Sequence, residues 1–228
     1  MKTALTQAIQ LILSGNEQLV GIINVTLQMS LASSLMALLF GVPFGAFLAM
    51  ASFRGKKILI VLNRTLTGLP PVVCGLLCYM LFCGVGPLRM LSLLYTVKGM
   101  IIAQIILITP IIAANVETFL AGLTGEIRET AKGLRLGVMK TFFLTMNECK
   151  YQIVSTYLFG FSRAIAEVGA VSMVGGAIAY KTNVMTTAIM NYTNMGNFTL
   201  GVALGIILLG MSLILNAGVY FIQARVSR

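Results

Sequence analysis

Arg163 and Glu167 stand four residues apart in the apolar run YQIVSTYLFGFSRAIAEVGAVSMVGG, residues 151–176. On a helix that spacing puts both on one face, within reach of each other. A charge at the centre of a membrane helix costs ~2.5–3.5 kcal/mol on insertion scales, so each needs a partner or water. Two readings follow. The residues neutralise each other as a structural pair, or they line a path or its gate; one arrangement can do both.

Other chemistry is sparse. The acids are Glu17, Glu117, Glu126, Glu129, Glu148 and Glu167, and there is no aspartate, histidine or tryptophan. That excludes a Ser-His-Asp triad and any zinc site built on histidine. No two acids keep the spacing of an acid/base pair, and no GxxxxGK[ST] loop is present to hold ATP in that mode. Cys74, Cys78, Cys83 and Cys149 read as small apolar packing residues, since C-x3-C alone is not a metal signature. The expectation is a chain with no catalytic residue, no metal and no cofactor of its own.

The elements that must position Arg163 and Glu167 are membrane helices. Hydrophobic residues make up 58% of the 228, charged residues only 10%, and the mean hydropathy is +0.95. A soluble domain averages about a quarter charged. The surplus apolar surface has no core to enter and must face lipid, which makes this an all-α, multi-pass integral membrane protein. Five segments are long enough to cross: 20–51 with Pro43, 58–84 with Pro70 and Pro71, 98–121 with Pro110, 151–177, and 198–224. The prolines break backbone hydrogen bonds as static kinks or as hinges. Gln7 and Gln10 interrupt the N-terminal apolar run, which does not read as a signal peptide. Leu5, Ile9, Ile12 and Leu13 share a helical face, so residues 3–14 read as a short helix on the membrane surface. Gly41-x3-Gly45 and Gly201-x3-Gly205 allow close helix approach, within the chain or between two copies. No internal repeat is evident, unlike many secondary transporters.

Positive charge sets the orientation. Arg54, Lys56, Lys57, Arg64, Arg128, Lys132, Arg135, Lys140, Lys150, Arg225 and Arg228 fall on one side, 11 of the 16 basic residues. Lys2, Arg89, Lys98 and Lys181 fall on the other, which places the N-terminus outside and the C-terminus in the cytoplasm. Anionic lipid accounts for the net charge of +10, and nucleic acid is not called for. Glu117, late in the third segment, is expected among the cytoplasmic headgroups without a function.

The longest cytoplasmic loop, 122–150, contains EIRETAKGLRLGVMK (Glu126 to Lys140), with six charges. Leu134, Val138, Met139 and Phe142 recur at helical spacing. Such an amphipathic helix either lies on lipid or docks into a groove of another protein.

This stretch resembles the EAA loop of ABC-importer permeases through Glu129, Thr130, Ala131, Leu134, Thr141 and Phe142. Arg135 stands where that pattern has glycine, with Gly133 and Gly137 on either side, and Asn147-Glu148 replaces its Leu-Pro. GLPPVVCGLLCYML (68–81), GPLRMLSLLYT (86–96), MIIAQIILITPII (100–112), FSRAIAEVGAVSMVGGAI (161–178) and TNVMTTAI (182–189) are similar to the permease of tungstate/molybdate importers, closer to the tungstate branch. Ala177 stands where that family has asparagine after two glycines.

The resemblance implies a type I ABC importer permease fold in the cell membrane and a homodimer. It implies a separate ATP-binding ABC subunit, which holds the ATP, and an extracellular or periplasmic oxyanion-binding protein. It makes Glu129, Thr130, Ala131, Leu134 and Gly137 the ATPase-coupling residues and tungstate, or molybdate, the cargo. Arg163 and Glu167 then become candidates for the path or gate: a permanent positive charge attracts a dianion, and the carboxylate keeps it from being held too tightly. The hydroxyls of Ser172, Thr182, Thr186 and Thr187 are candidate oxyanion ligands, or ordinary helix-helix hydrogen bonds. The alternatives are an ATPase-independent channel or secondary carrier for anions, and a non-transporting scaffold.

Overall fold

In the computed structural model, residues 6, 9–10, 13–135 and 137–226 are described, with the main chain alone for 123–128, 130–132, 138–139 and 223–226. The surface helix expected at 3–14 falls largely outside them, although Thr6, Ile9, Gln10 and Leu13 are helical. Lys2 and Arg228 also lie outside the described residues.

Helix α1 spans Glu17–Met50. It starts at Glu17 because the side chain of Asn16 accepts from the N–H groups of Gln18 (2.9 Å) and Leu19 (3.3 Å), satisfying two orphan donors. Its small residues Ser30, Ser33, Ser34, Ala37, Gly41, Gly45 and Ala49 are buried along one stripe, and this stripe lies on α4, Val97–Gly133. A Cβ on Gly41 would come 2.8 Å from Cγ2 of Ile112, and one on Gly45 2.5 Å from the carbonyl of Ala113. The first small-residue motif is therefore spent on packing within the chain.

The segment 58–84 is not one straight rod. Helices α2 (Lys56–Thr67) and α3 (Pro71–Phe82) meet at 98°. Pro70 bars Leu69 from the helical region, and Pro71 takes the first position of α3, where its missing N–H costs nothing. Segment 151–177 is also bent. Helix α6 (Lys150–Ile165) and α7 (Gly169–Gly175) meet at 56°. Between α4 and α6 lies α5, Val138–Glu148. Helices α8 (Met185–Asn194) and α9 (Phe198–Val226) complete the described chain. Among the described residues, three helices are long and apolar enough to cross a membrane, or up to five if each bent pair counts as one span.

At 37 residues α4 is about 55 Å long, well beyond the ~30 Å hydrocarbon core. Its last turns, residues 122–133, are the first half of the expected cytoplasmic loop, so that loop is helix–turn–helix rather than irregular chain. On α9, Leu209, Leu213 and Ile214 are exposed, as a lipid-facing helix requires.

Candidate functional site

The bend between α6 and α7 is built around Glu167. Its Oε2 lies 2.9 Å from Nη1 of Arg163, and its Oε1 accepts from the N–H of Ala170 (3.3 Å) in the first turn of α7. The carboxylate is thus at once an ion-pair partner and a cap. Glu167 is sunk, with 5% of its side chain exposed, while 38% of Arg163 is exposed. A break in a buried helix frees carbonyls that need donors. Here the carbonyl of Ala164 accepts from Nε2 of Gln104 (2.9 Å), and that of Glu167 accepts from Oγ1 of Thr186 (2.7 Å). Gln104 is completely buried and also accepts from Oγ of Ser33 at 2.5 Å, so it ties α1, α4 and α6 together. On the other side, a Cβ on Gly169 would come 2.8 Å from Cγ2 of Val72, so the bend sits hard against the start of α3.

The four hydroxyls go to the protein itself. Ser172 donates to the carbonyl of Gly169 (3.0 Å) and Thr182 to that of Gly175 (2.6 Å), while Thr182 accepts from the N–H of Ile178 (3.0 Å). Thr187 donates to Oδ1 of Asn183 (2.9 Å) and accepts from the N–H of Val184 (3.0 Å). Thr182, Thr186 and Thr187 are buried. Thr186 and Ser172 are brought to the bend; Thr182 and Thr187 brace the loop beyond it. That loop contains Gly176 (φ +68°), Ala177 (φ +48°) and Tyr180 (φ +61°) in the left-handed region. Ala177, the position of the family's asparagine, needs a left-handed backbone, which asparagine tolerates better than alanine.

The segment expected in the cytoplasm forms a second surface. Glu129 is exposed on the far end of α4, whose main chain is helical through Thr130 and Ala131; the side chains of those two lie outside the described residues. Leu134 (63% exposed) and Arg135 form the turn, and Gly137 is the N-cap of α5, its carbonyl accepting from the N–H of Thr141 (3.0 Å). Arg135, standing where the EAA pattern has glycine, has φ +51°. One face of α5 turns inward, with Phe142 and Met146 against the cluster of Leu120, Val116 and Cys149. The other carries Phe143, 65% exposed.

Two features escape a reading by segments. Glu117, expected without a function, is buried and paired, with its Oε2 2.9 Å from Nη2 of Arg64. Nδ2 of the neighbouring Asn63, also buried, donates to the carbonyl of Pro110 (3.2 Å). The seven-residue spacing of Pro110 and Glu117, two helical turns on one face, was the available signal. Cys74 and Cys78 are buried in the α3–α4–α7 cluster, and Cys149 is buried beside α5. Burial first, and then Glu148, push the Cys149 thiol up from its ordinary pKa.

Residues 41–228 match the family model for the binding-protein-dependent transport system inner membrane component. The chain is 33% identical over 216 residues to the tungstate uptake system permease protein TupB of Peptoclostridium acidaminophilum, covering 95% of each. It is 33% identical to the TupB of Campylobacter jejuni, covering 92% of this chain and 88% of that one. It is 28% identical to the molybdate/tungstate transport system permease protein WtpB of Pyrococcus furiosus, covering 79% of this chain and 69% of that one.

Proposed function

This chain belongs to the family of binding-protein-dependent transport system inner membrane components, and from that premise we propose that it is the membrane-spanning permease of an ABC importer that carries tungstate into the cytoplasm. The observation that carries the cargo is 33% identity to a tungstate uptake permease over 95% of both chains. The permease is a multi-pass cell-membrane protein. Its ATP is bound by a separate ABC subunit, and an external binding protein delivers the oxyanion. Two copies form the pathway. The N-terminus lies outside and the C-terminus inside, with each bent pair, α2–α3 and α6–α7, counted as one of five spans.

The mechanism follows from α4. It runs unbroken from Gln104, which grips the α6–α7 bend, to Glu129 at the cytoplasmic tip. That is 25 residues, about 37 Å of helix, with Pro110 within it. Glu129, Thr130, Ala131, Leu134 and Gly137 engage the ATPase. When ATP closes the ATPase dimer, displacement of this tip is carried by α4 to the carbonyl of Ala164, one residue from Arg163. Arg163 attracts the dianion, and Glu167 both caps α7 and limits how tightly the anion is held. Ser172, Thr182, Thr186 and Thr187 support the bend and the following loop through hydrogen bonds within the chain, which favours a positioning role over direct oxyanion contact.

Uptake by the reconstituted permease, ATPase and binding protein tests this, with tungstate, molybdate and sulfate compared. ATP-dependent tungstate accumulation is expected. Full-speed passage through vesicles holding this chain alone would instead support an ATPase-independent channel or carrier.

A further inference from the structure

Arg64 and Glu117 repeat the arrangement of Arg163 and Glu167. In both, guanidinium and carboxylate are 2.9 Å apart, the carboxylate is sunk (8% and 5% exposed) and the guanidinium is left partly out (57% and 38%). The two pairs stand on either side of the break at Gly68–Pro70. Arg64 is in the last turn of α2, which ends at that break. Beyond it, α3 begins against Gly169, two residues past Glu167. Gly68, Pro70, Ala166 and Val168 are all exposed.

Both halves of the broken segment touch one face of α4. Cys74 of α3 donates to the carbonyl of Ala103 (3.7 Å), Asn63 of α2 donates to the carbonyl of Pro110 (3.2 Å), and Arg64 meets Glu117. Positions 103, 110 and 117 are seven apart, on one side of a helix. Along α4, Glu117 is 13 residues past Gln104, about 20 Å nearer the coupling tip. The contact with Glu117 uses one of five guanidinium N–H donors, which leaves the rest of the fork open on the exposed side. A charge held at such a place is not left against hydrocarbon.

We infer that Arg64 is a second oxyanion-binding station of the transport path, on the cytoplasmic side of Arg163. A planar fork suits a tetrahedral oxyanion. Glu117 makes the pair neutral, so the anion is passed on rather than trapped. The inference rests on the reading of this chain as an oxyanion permease. A lipid phosphate is the same chemistry from another source, and the lipid composition of the assay separates the two.

The test is tungstate uptake, with ATP hydrolysis read in parallel, by the full complex in phosphatidylcholine vesicles and in vesicles with added phosphatidylglycerol. Arg64→Gln is expected to lower tungstate uptake about tenfold in both lipids, the size of losing a charge-assisted contact, while hydrolysis continues. Arg64→Lys should recover part of the rate. Arg64→Gln combined with Glu117→Gln removes the pair without leaving a buried charge, and should stay slow. Wild-type uptake in that double variant would make the pair purely structural and overturn the station. So would a defect seen only with phosphatidylglycerol, which would assign Arg64 to lipid. A wild-type complex without ATP-driven uptake would instead overturn the importer reading, and this inference with it.

Discussion

The side-chain amide of Gln104, in the first third of α4, donates a 2.9 Å hydrogen bond to the main-chain carbonyl of Ala164, at the end of α6. A helix that stops inside the protein leaves carbonyls without donors, and Gln104 supplies one from a neighbouring helix. The same amide oxygen accepts from Ser33 of α1. One fully buried side chain therefore fixes where the bend carrying Arg163 and Glu167 sits relative to two long helices.

Replacing Gln104 with leucine roughly keeps the volume but removes two buried hydrogen bonds, while the Ala164 carbonyl still accepts from the N–H of Glu167 (3.4 Å) and the Ser33 hydroxyl still donates to the carbonyl of Ser30 (3.2 Å). Each hydrogen bond lost costs about 0.5–1.5 kcal/mol. The purified variant should melt at a lower temperature than the wild type, and uptake should fall with it. An unchanged melting temperature would mean that water or another donor replaces the amide.

The two small-residue motifs should respond differently to added bulk. Gly45→Ala drives a methyl to within 2.5 Å of the Ala113 carbonyl, where the backbone of α4 must move. Overpacking of this kind costs about 1–3 kcal/mol. At Gly205 nothing lies within 4 Å of the added Cβ, and alanine is the better helix former, so Gly205→Ala should not lower the melting temperature of the isolated chain. If Gly205→Ala lowers dimer recovery on size-exclusion chromatography without lowering that temperature, Gly205 belongs to the interface between copies, while Gly201, where an added Cβ would come 3.2 Å from Oγ1 of Thr193, packs within the chain.

The helical, membrane-spanning character of the chain is legible because lipid-facing composition admits few other solutions. Residues 98–121 carry the period and apolarity of a long helix, and Val97–Gly133 contains them. The continuation through Glu126 and Glu129 was hidden by their polarity: a helix leaving the bilayer keeps its backbone but loses the hydropathy that marks it. The pairing of Arg163 with Glu167 follows from i,i+4 geometry alone. Arg64 with Glu117, 53 residues apart, does not, because only the tertiary path of α2 along α4 joins them. The departures at Arg135 and Ala177 are also explained by backbone. Both have positive φ, so glycine and asparagine suit those places for conformational reasons rather than as ligands.

That reading of Arg135 is open to measurement. A non-glycine residue in the left-handed region costs about 1–2 kcal/mol, part of which glycine returns as unfolded-state entropy. Arg135→Gly should raise the melting temperature, consistent with a gain of about 0.5–1 kcal/mol. Ala177→Asn should do the same on the other side of the molecule. A loss of stability in both would show that the side chains make contacts outweighing the backbone gain.

Thiol labelling probes both orientation and burial. Cys83 follows α3 and is half-buried, while Cys149 is buried, with its thiol pushed up by that burial. Thiolate is the reactive form, so a raised pKa moves its appearance to higher pH. A membrane-impermeant maleimide added outside intact cells should label Cys83 at neutral pH. Cys149 should stay unlabelled from either side until the protein is denatured. Labelling of Cys83 only from the cytoplasmic side would invert the proposed topology.

The coupling surface separates from the packing surface residue by residue. Glu129, Leu134 and Phe143 are exposed, with the Phe143 ring edge-on to Phe142, whereas Phe142 packs against the buried cluster that holds Leu120 and Cys149. Leu134→Ala and Glu129→Ala should therefore leave the melting temperature of the isolated permease unchanged. Each should weaken its association with the ATPase by about 1–2 kcal/mol, roughly tenfold in Kd, if this tip is the docking element. Phe142→Ala should do the reverse at first order, destabilising the permease by about 3 kcal/mol through the cavity it opens. Gly137, proposed to meet the ATPase, is compared for its effect on the fold. It has an ordinary negative φ and nothing within 4 Å of an added Cβ, and it caps α5, so Gly137→Ser should be neutral or slightly stabilising. Titrating the ATPase onto each purified variant, alongside its melting curve, gives both quantities from one preparation. Equal ATPase affinity for wild type, Leu134→Ala and Glu129→Ala would move the docking element away from the α4–α5 turn.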